Sequence, residues 1–245
     1  EMCIRDRLKA FLLKAGCIGL SILGLIGANS ASATLVSSFD FNSDMSDTLG
    51  NHADILGLGG NLITPGRYTF GMGEGLRLDN FVGDTSTYGI KIRFEMDFVG
   101  SQYKKLIDFQ NLLADHGTYV LNNNLHFYTA GGSGTAIITS NTDMIVTVVR
   151  DGTTGQVTGA LDGVVQWSFN DAGNQAVSVP NILHFFIDDA ASGSVENFAG
   201  SVDYIRIYDT ADTQGDPPPP PVPLPMTGLL LASGIGVMAV KRRCR

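Results

Sequence analysis

Within the run from Gly89 to Val99, apolar and charged side chains alternate without a break from Ile90 to Phe98. In an extended chain, successive side chains point to opposite faces. Ile90, Ile92, Phe94, Met96 and Phe98 therefore share one face, and Lys91, Arg93, Glu95 and Asp97 share the other. A helix would scatter both sets around its axis. The segment predicts a strand with one face on a core and the other in water. Shorter runs of the same kind are Leu35–Phe41, Leu76–Leu78, Lys105–Phe109, Thr118–Leu121, Leu125–Thr129, Ala136–Thr139, Met144–Arg150, Val157–Leu161, Val164–Phe169, Ile182–Ile187 and Val202–Tyr208. Turn formers separate them: Asp151-Gly152, Asp162-Gly163, Gly131-Gly132 and the asparagines 122–124. No helical run stands out between Thr34 and Asp212. The expected fold is all-β, an antiparallel two-sheet jelly-roll sandwich. Trp167, in phase with Val165 and Phe169, reads as core. In the last run, Val202, Ile205 and Ile207 break strict alternation, which predicts a bulge at Asp203-Tyr204.

Charge and cysteine separate this body from the chain's two ends. Between Thr34 and Pro221 lie 8 of the 16 basic residues and 22 of the 24 acidic ones, a net of −14. Such acidity argues against nucleic acid as a partner. Cys3, Cys17 and Cys244 all lie at the ends, so the body has no disulfide, no thiolate chemistry and no Cys-type zinc site. His52, His116, His126 and His184 show no metal-ligand spacing and read as surface or strand residues.

At the N-terminal end, Arg5, Arg7, Lys9 and Lys14 precede the uncharged stretch Ala15–Ile26. Small residues Ala31 and Ala33 then follow at the spacing a signal peptidase reads. Residues 1–33 are the pattern of a signal peptide cut after Ala33. Residues 34–212 form the body. Residues 213–221 are a Pro-rich linker, extended and stiff. Val222-Pro223-Leu224-Pro225 comes next, then an apolar segment over 226–240, then Lys241, Arg242 and Arg243 before the final Cys-Arg. As a helix those apolar residues span roughly 22 Å against a bilayer core of about 30 Å, and the basic cluster is expected on the cytoplasmic side.

The tail, residues 222–245, resembles the PEP-CTERM sorting signal in its VPLP form. It departs from that form at Met226-Thr227, where the variant usually has a small residue. The resemblance implies recognition by an exosortase, transient anchoring in the inner membrane of a Gram-negative bacterium, and release to the cell surface or extracellular matrix. The body resembles the laminin-G-like, concanavalin-A-like lectin/glucanase jelly roll. The carrying segments are Phe39–Asn42, Gly75–Leu78, the hairpin Gly159–Val164 and the closing Gly200–Asp209. Lys105–Phe109, Asp115–Val120 and Phe185–Asp189 resemble a subset of these domains in exported bacterial proteins.

Carboxylates carry what chemistry there is. Asp188, Asp189 and Glu196 bracket a small-residue loop and offer three carboxylates and several carbonyls, as calcium requires. Domains similar to this one often hold a structural calcium near such elements, and a solvated acidic loop is the alternative. Asp40, Asn42, Asp44 and Asp47 have a loop-like spacing but lack the glycine and glutamate of a helix-loop calcium site. Glu95 and Asp97 match the first two acids of the glucanase E-x-D-x-x-E pattern, but the third position is Gly100, so the acid–base partner is missing. Lys91 and Arg93 are expected to lower the pKa of both acids. No GxSxG or phosphate-binding glycine loop is present. The expected function is a non-catalytic exported module that binds extracellular polysaccharide or a surface protein, with calcium as cofactor. A glycan hydrolase with an atypical acid pair is the alternative.

Overall fold

A computed structural model describes residues 33–63, 66–97, 100–130, 134–189, 193 and 195–213. Of the processing signals expected at the two ends, only Ala33 falls within these residues. Ala31, Val222, Pro223, Leu224, Pro225, Lys241, Arg242 and Arg243 lie outside them. Among the described residues there is no helix, and hence none long and apolar enough to cross a membrane.

The body has strands β1 (Leu35–Phe39), β2 (Leu56–Leu58), β3 (Asn61–Ile63), β4 (Arg67–Phe70), β5 (Gly75–Asp79), β6 (Tyr88–Met96) and β7 (Lys104–Asp108). There follow β8 (Gly117–Leu121), β9 (Asn124–Tyr128), β10 (Met144–Asp151), β11 (Gln156–Leu161), β12 (Val164–Asn170), β13 (Ile182–Phe185) and β14 (Gly200–Tyr208). They form two antiparallel sheets. An eight-stranded sheet runs β12-β11-β10-β6-β14-β4-β3, with β1 also paired to β14, and a six-stranded sheet runs β2-β5-β13-β7-β8-β9.

The long alternating segment lies at the middle of the larger sheet, between β10 and β14. Ile92 pairs with Val146 on one side and Ile205 on the other; Ile90 pairs with Val148 and Ile207. These side chains are buried, while Lys91, Arg93 and Glu95 alternate with them on the outer face. The smaller sheet contributes Leu76, Leu78, Leu106, Val120, Phe127, Leu183 and Phe185 to the same core. Each such side chain stabilises the fold by about 1.5–3 kcal/mol through area removed from water.

The structure differs from the sequence expectation at several places. Ala136–Thr139 is not a strand: Ile138 is buried and its N–H bonds to Asn123 O at 2.7 Å, but Ile137 points to solvent and no ladder forms. Strands β2, β3 and β4 were not evident, because Gly59 and Gly60, with φ of 82° and 72°, read only as a turn. The chain uses that turn to pass from the smaller sheet to the larger. Trp167 is in the core, as its apolar neighbours suggested, but Val165 is 60% exposed. A register shift opposite Gly159/Ala160 inserts Gln166 and reverses the phase between them. The bulge expected at Asp203-Tyr204 is present, between Val202 and Tyr204. The first and last strands, β1 and β14, pair; Asp40 approaches Arg206, at 3.9 Å, and Asp203 binds Arg93, at 3.1 Å.

Phe94, buried in the central strand against Phe186 with ring centroids 6.1 Å apart, is the sharpest test of this core. Phe94→Ala should destabilise the body by about 3–5 kcal/mol. Lys91→Gln on the opposite face should change it by less than about 0.5 kcal/mol. Urea denaturation of residues 34–212 compares the two, and equal effects would mean that the strand faces are wrongly assigned.

Candidate functional site

Strict alternation would put Lys105 and Asp108 of β7 on opposite faces, three residues apart. The pairing with β8 prevents this. Lys105 is opposite Tyr119 and Ile107 is opposite Thr118, so Leu106 is an extra, bulged residue. Lys105 and Asp108 then share the outer face of the smaller sheet, while Leu106 and Ile107 both turn into the core. Gly117 permits the close approach: a Cβ there would meet Ile107 O at 2.2 Å.

A second irregularity brings the other half of the cluster. The sequence predicts a strand through Ile187, but β13 stops at Phe185 and Phe186 has φ of 66°. That conformation is unfavourable for a bulky residue. Packing holds it there: the Phe186 ring stacks on Phe70 at 4.4 Å and meets Phe198 edge-on at 6.0 Å. With Phe185 and Phe186 both inward, the chain turns and carries Asp188 and Asp189 over the outer face.

The Lys105 ammonium lies at the centre. Its side chain and those of Asp108 and Asp189 have no solvent exposure. Nζ donates to Asp108 Oδ2 at 3.2 Å and to Asp189 Oδ2, with Asp115 Oδ1 3.9 Å away. It also sits 5.0 Å from the centre of the Tyr119 ring. Asp108 Oδ1 accepts the amides of Gln110, at 3.0 Å, and Leu112, at 2.8 Å, which shapes the following loop. The Tyr119 hydroxyl donates to Asp115. Asp188 accepts the amides of Asp189, at 2.9 Å, and Glu196, at 3.0 Å, one on each oxygen. Lys104 ties the same loop by donating to Val195 O at 3.2 Å and Asn197 O at 2.9 Å.

The three residues expected to bind calcium are thus neighbours, but each has another setting. Asp189 binds an ammonium, and Asp188 folds its own loop. Glu196 leaves Oε2 buried without a hydrogen-bond partner. Among the described residues, no three His, Cys, Asp or Glu side chains are grouped so as to hold a metal ion. In the other candidate cluster, Asp47 accepts four amides, from Ser38, Leu49, Asn51 and His52, and organises its loop. Glu95 lies on the outer face of the larger sheet. Its neighbour Arg93 reaches Asp143, at 3.0 Å, and Asp203. Asp97 lines a cleft of about 360 Å³ with Met72, Gln102, Lys104, Asn197 and Phe198.

Sequence reasoning missed the aromatic part. Tyr103, just before β7, meets Tyr119, Tyr128 and His126 edge-on, at centroid distances of 5.5, 5.6 and 6.3 Å. Tyr119 is buried, whereas Tyr103, His126 and Tyr128 keep part of their surface in solvent. The result is an aromatic shelf beside Asp115 and Glu196. The alternation of His126 and Tyr128 against Leu125 and Phe127 could have signalled it.

Burial and the like charges of Asp115, Asp188 and Asp189 push the Glu196 carboxyl up to about 7, against the opposing pull of Lys105. The native state then holds a proton that the unfolded chain releases above its ordinary value of 4.5. Stability contributed by the protonated form is therefore lost as pH rises through 7. Glu196→Gln, measured by thermal melting, should gain on the wild type between pH 5 and pH 8. A constant difference across that range would exclude the perturbed carboxyl.

No family model matches the sequence, and no curated protein matches it. Solved structures do. Domain 4 of AbnA, a GH43 extracellular arabinanase from Geobacillus stearothermophilus, in complex with arabinotriose, superposes with a TM-score of 0.57 at 17% identity. The match covers 74% of this chain and 95% of that one. The binding domain of botulinum neurotoxin serotype D gives 0.51 at 13% identity, over 74% of this chain and 49% of that one. Trypanosoma rangeli sialidase gives 0.57 at 14% identity, over 73% of this chain and 31% of that one. The chain thus spans nearly all of the arabinanase domain, about half of the toxin domain and about a third of the sialidase. The shared property is the fold, a two-sheet β-sandwich.

Proposed function

We propose that this chain is an exported, non-catalytic module of the cell surface or extracellular matrix that binds carbohydrate on the outer face of its smaller sheet. The observation that carries this reading is the shelf of Tyr103, His126 and Tyr128 next to Asp115 and Glu196. Sugar rings stack their C–H faces on aromatic side chains, and carboxylates accept hydrogen bonds from sugar hydroxyls. The sandwich shared with the arabinotriose-bound domain supports it at the level of fold. The carboxylates concentrated around Lys105 disfavour a uronic or sialic acid, so the preferred ligand is a neutral polysaccharide.

The module is delivered by its two ends. The leader directs export and is removed after Ala33. The Val222–Pro225 motif, short apolar segment and Lys241–Arg243 cluster then hold the protein briefly at the inner membrane until an exosortase cuts the tail.

A neutral-glycan array probed with residues 34–212 should give binding that Tyr103→Ala and Tyr128→Ala each weaken at least tenfold, with no reducing ends released by the wild type. Binding unaffected by either substitution would remove the site. Turnover abolished by Glu196→Gln would replace the module with a hydrolase. For delivery, intact mass of the mature protein should place the new C-terminus near Pro225. A mature chain that retains Arg245 contradicts the sorting step.

A further inference from the structure

We infer that Lys105 and Asp108 are the two halves of an internal isopeptide bond, which forms with loss of water and with Asp189 as the proton carrier. Such a step needs a nucleophile, a carboxyl carbon, a place for the developing oxyanion and a base, all kept dry. The cluster holds one of each. The side chains of Lys105, Asp108 and Asp189 have no solvent exposure. Nζ is 3.2 Å from Asp108 Oδ2 and also donates to Asp189 Oδ2. Asp108 Oδ1 accepts the amides of Gln110 and Leu112, at 3.0 and 2.8 Å. Those two N–H groups lie where negative charge develops when Cγ is attacked. The Tyr119 ring, 5.0 Å from Nζ, walls off another side.

The atoms balance without an oxidant, a reductant or a co-reactant. One Nζ proton passes along the hydrogen bond to Asp108 Oδ2, which leaves a neutral amine beside a carboxylic acid. Burial favours that acid, holding the Asp108 carboxyl above its ordinary range against the opposing pull of Lys105 and the two amides. The amine attacks Cγ, and the carbonyl electrons move onto Oδ1 between the amides. A second Nζ proton passes to Asp189 and from there to Oδ2. The Cγ–Oδ2 bond breaks, water departs, and the third proton stays on the new amide. One buried positive and one buried negative charge disappear, and with them the cost of holding both out of water. The bulge at Leu106 makes the reaction possible, since regular alternation would hold Lys105 and Asp108 on opposite faces.

The bond is independent of the sugar ligand and is read by mass, in tryptic peptides of the full-length protein unfolded before digestion. Trypsin cannot cut after an acylated lysine, so the wild type should yield a 105–150 peptide lighter than its sequence by one water. Fragmentation should place the link at Asp108 and not at Asp115, whose Oδ1 lies 3.9 Å from Nζ. Asp108→Ala should instead release 106–150 at full mass. Asp189→Asn should cut the water-light fraction roughly tenfold or more, through loss of the proton carrier. A wild type that releases only full-mass 106–150 would overturn the inference. So would a water-light 106–150 peptide, which is a succinimide at an aspartate and leaves Lys105 free to be cut. A link from Lys105 to Asp115, or to the 151–206 peptide that contains Asp189, would overturn the assignment of Asp108. Undiminished bond formation in a folded Asp189→Asn variant would overturn the role of Asp189. The wild-type digest decides for or against the bond even where a variant does not fold.

Discussion

A fully buried ammonium held by buried carboxylates is the constraint around which the smaller sheet is arranged. Removing any of these charges from water costs several kcal/mol, and only close pairing with full hydrogen bonding recovers it. Lys105, Asp108 and Asp189 achieve that pairing because two irregular backbones meet. The bulge in β7 rotates Lys105 outward, and the left-handed turn at Phe186 brings Asp189 across. Loss of one partner leaves an uncompensated buried charge, typically worth about 3–5 kcal/mol. The cluster therefore acts as a geometric latch: the loop at residues 109–116, and residues 186–189 with 195–197, are placed by the charges they must neutralise.

The aromatic and acidic shelf is built on that latch. Tyr119 links the two, its ring beside Lys105 and its hydroxyl on Asp115. Tyr103 then packs on Tyr119 and presents its remaining surface outward with Tyr128. A surface ordered from beneath in this way loses little side-chain entropy when it meets a ligand. Rigid aromatic groups beside hydrogen-bond acceptors suit a flat, hydroxylated partner.

Strand content was legible in the sequence wherever one face is apolar and the other polar. β6 and β10 show this directly, because half of each strand faces water. The breaks in that rule were not legible. Of the bulges, only the one at Asp203 left a trace, since Ile205 and Ile207 fall out of phase with Val202. The bulge at Leu106 sits in an apolar pair that reads equally well either way, and Gln166 interrupts β12 without changing its composition. Asp188, Asp189 and Glu196 were recognisable as a group because they are near in sequence. Their cation was not, because Lys105 lies 84 positions from Asp189 and looks like an ordinary outward lysine until the bulge is known. β2 to β4 were missed because runs of three or four residues carry too little periodicity to stand out from turns.

The pairing of β1 with β14 places Leu35 beside Tyr208, at the point where the body begins and ends. The Thr34 and Asp209 backbones close the pair, with the Asp209 N–H bonded to Thr34 O at 3.2 Å. This determines how the body responds to mechanical load. Tension between the two ends peels β1 from β14 in zipper fashion, one bonded pair after another, and meets little resistance. Tension between the tail and something gripped by the smaller sheet instead drags β14 lengthwise past β6, to which it is matched from Gly200 to Tyr208. Many bonds must then fail together, so the strand that leads to the tail is also the one best placed to bear a pull.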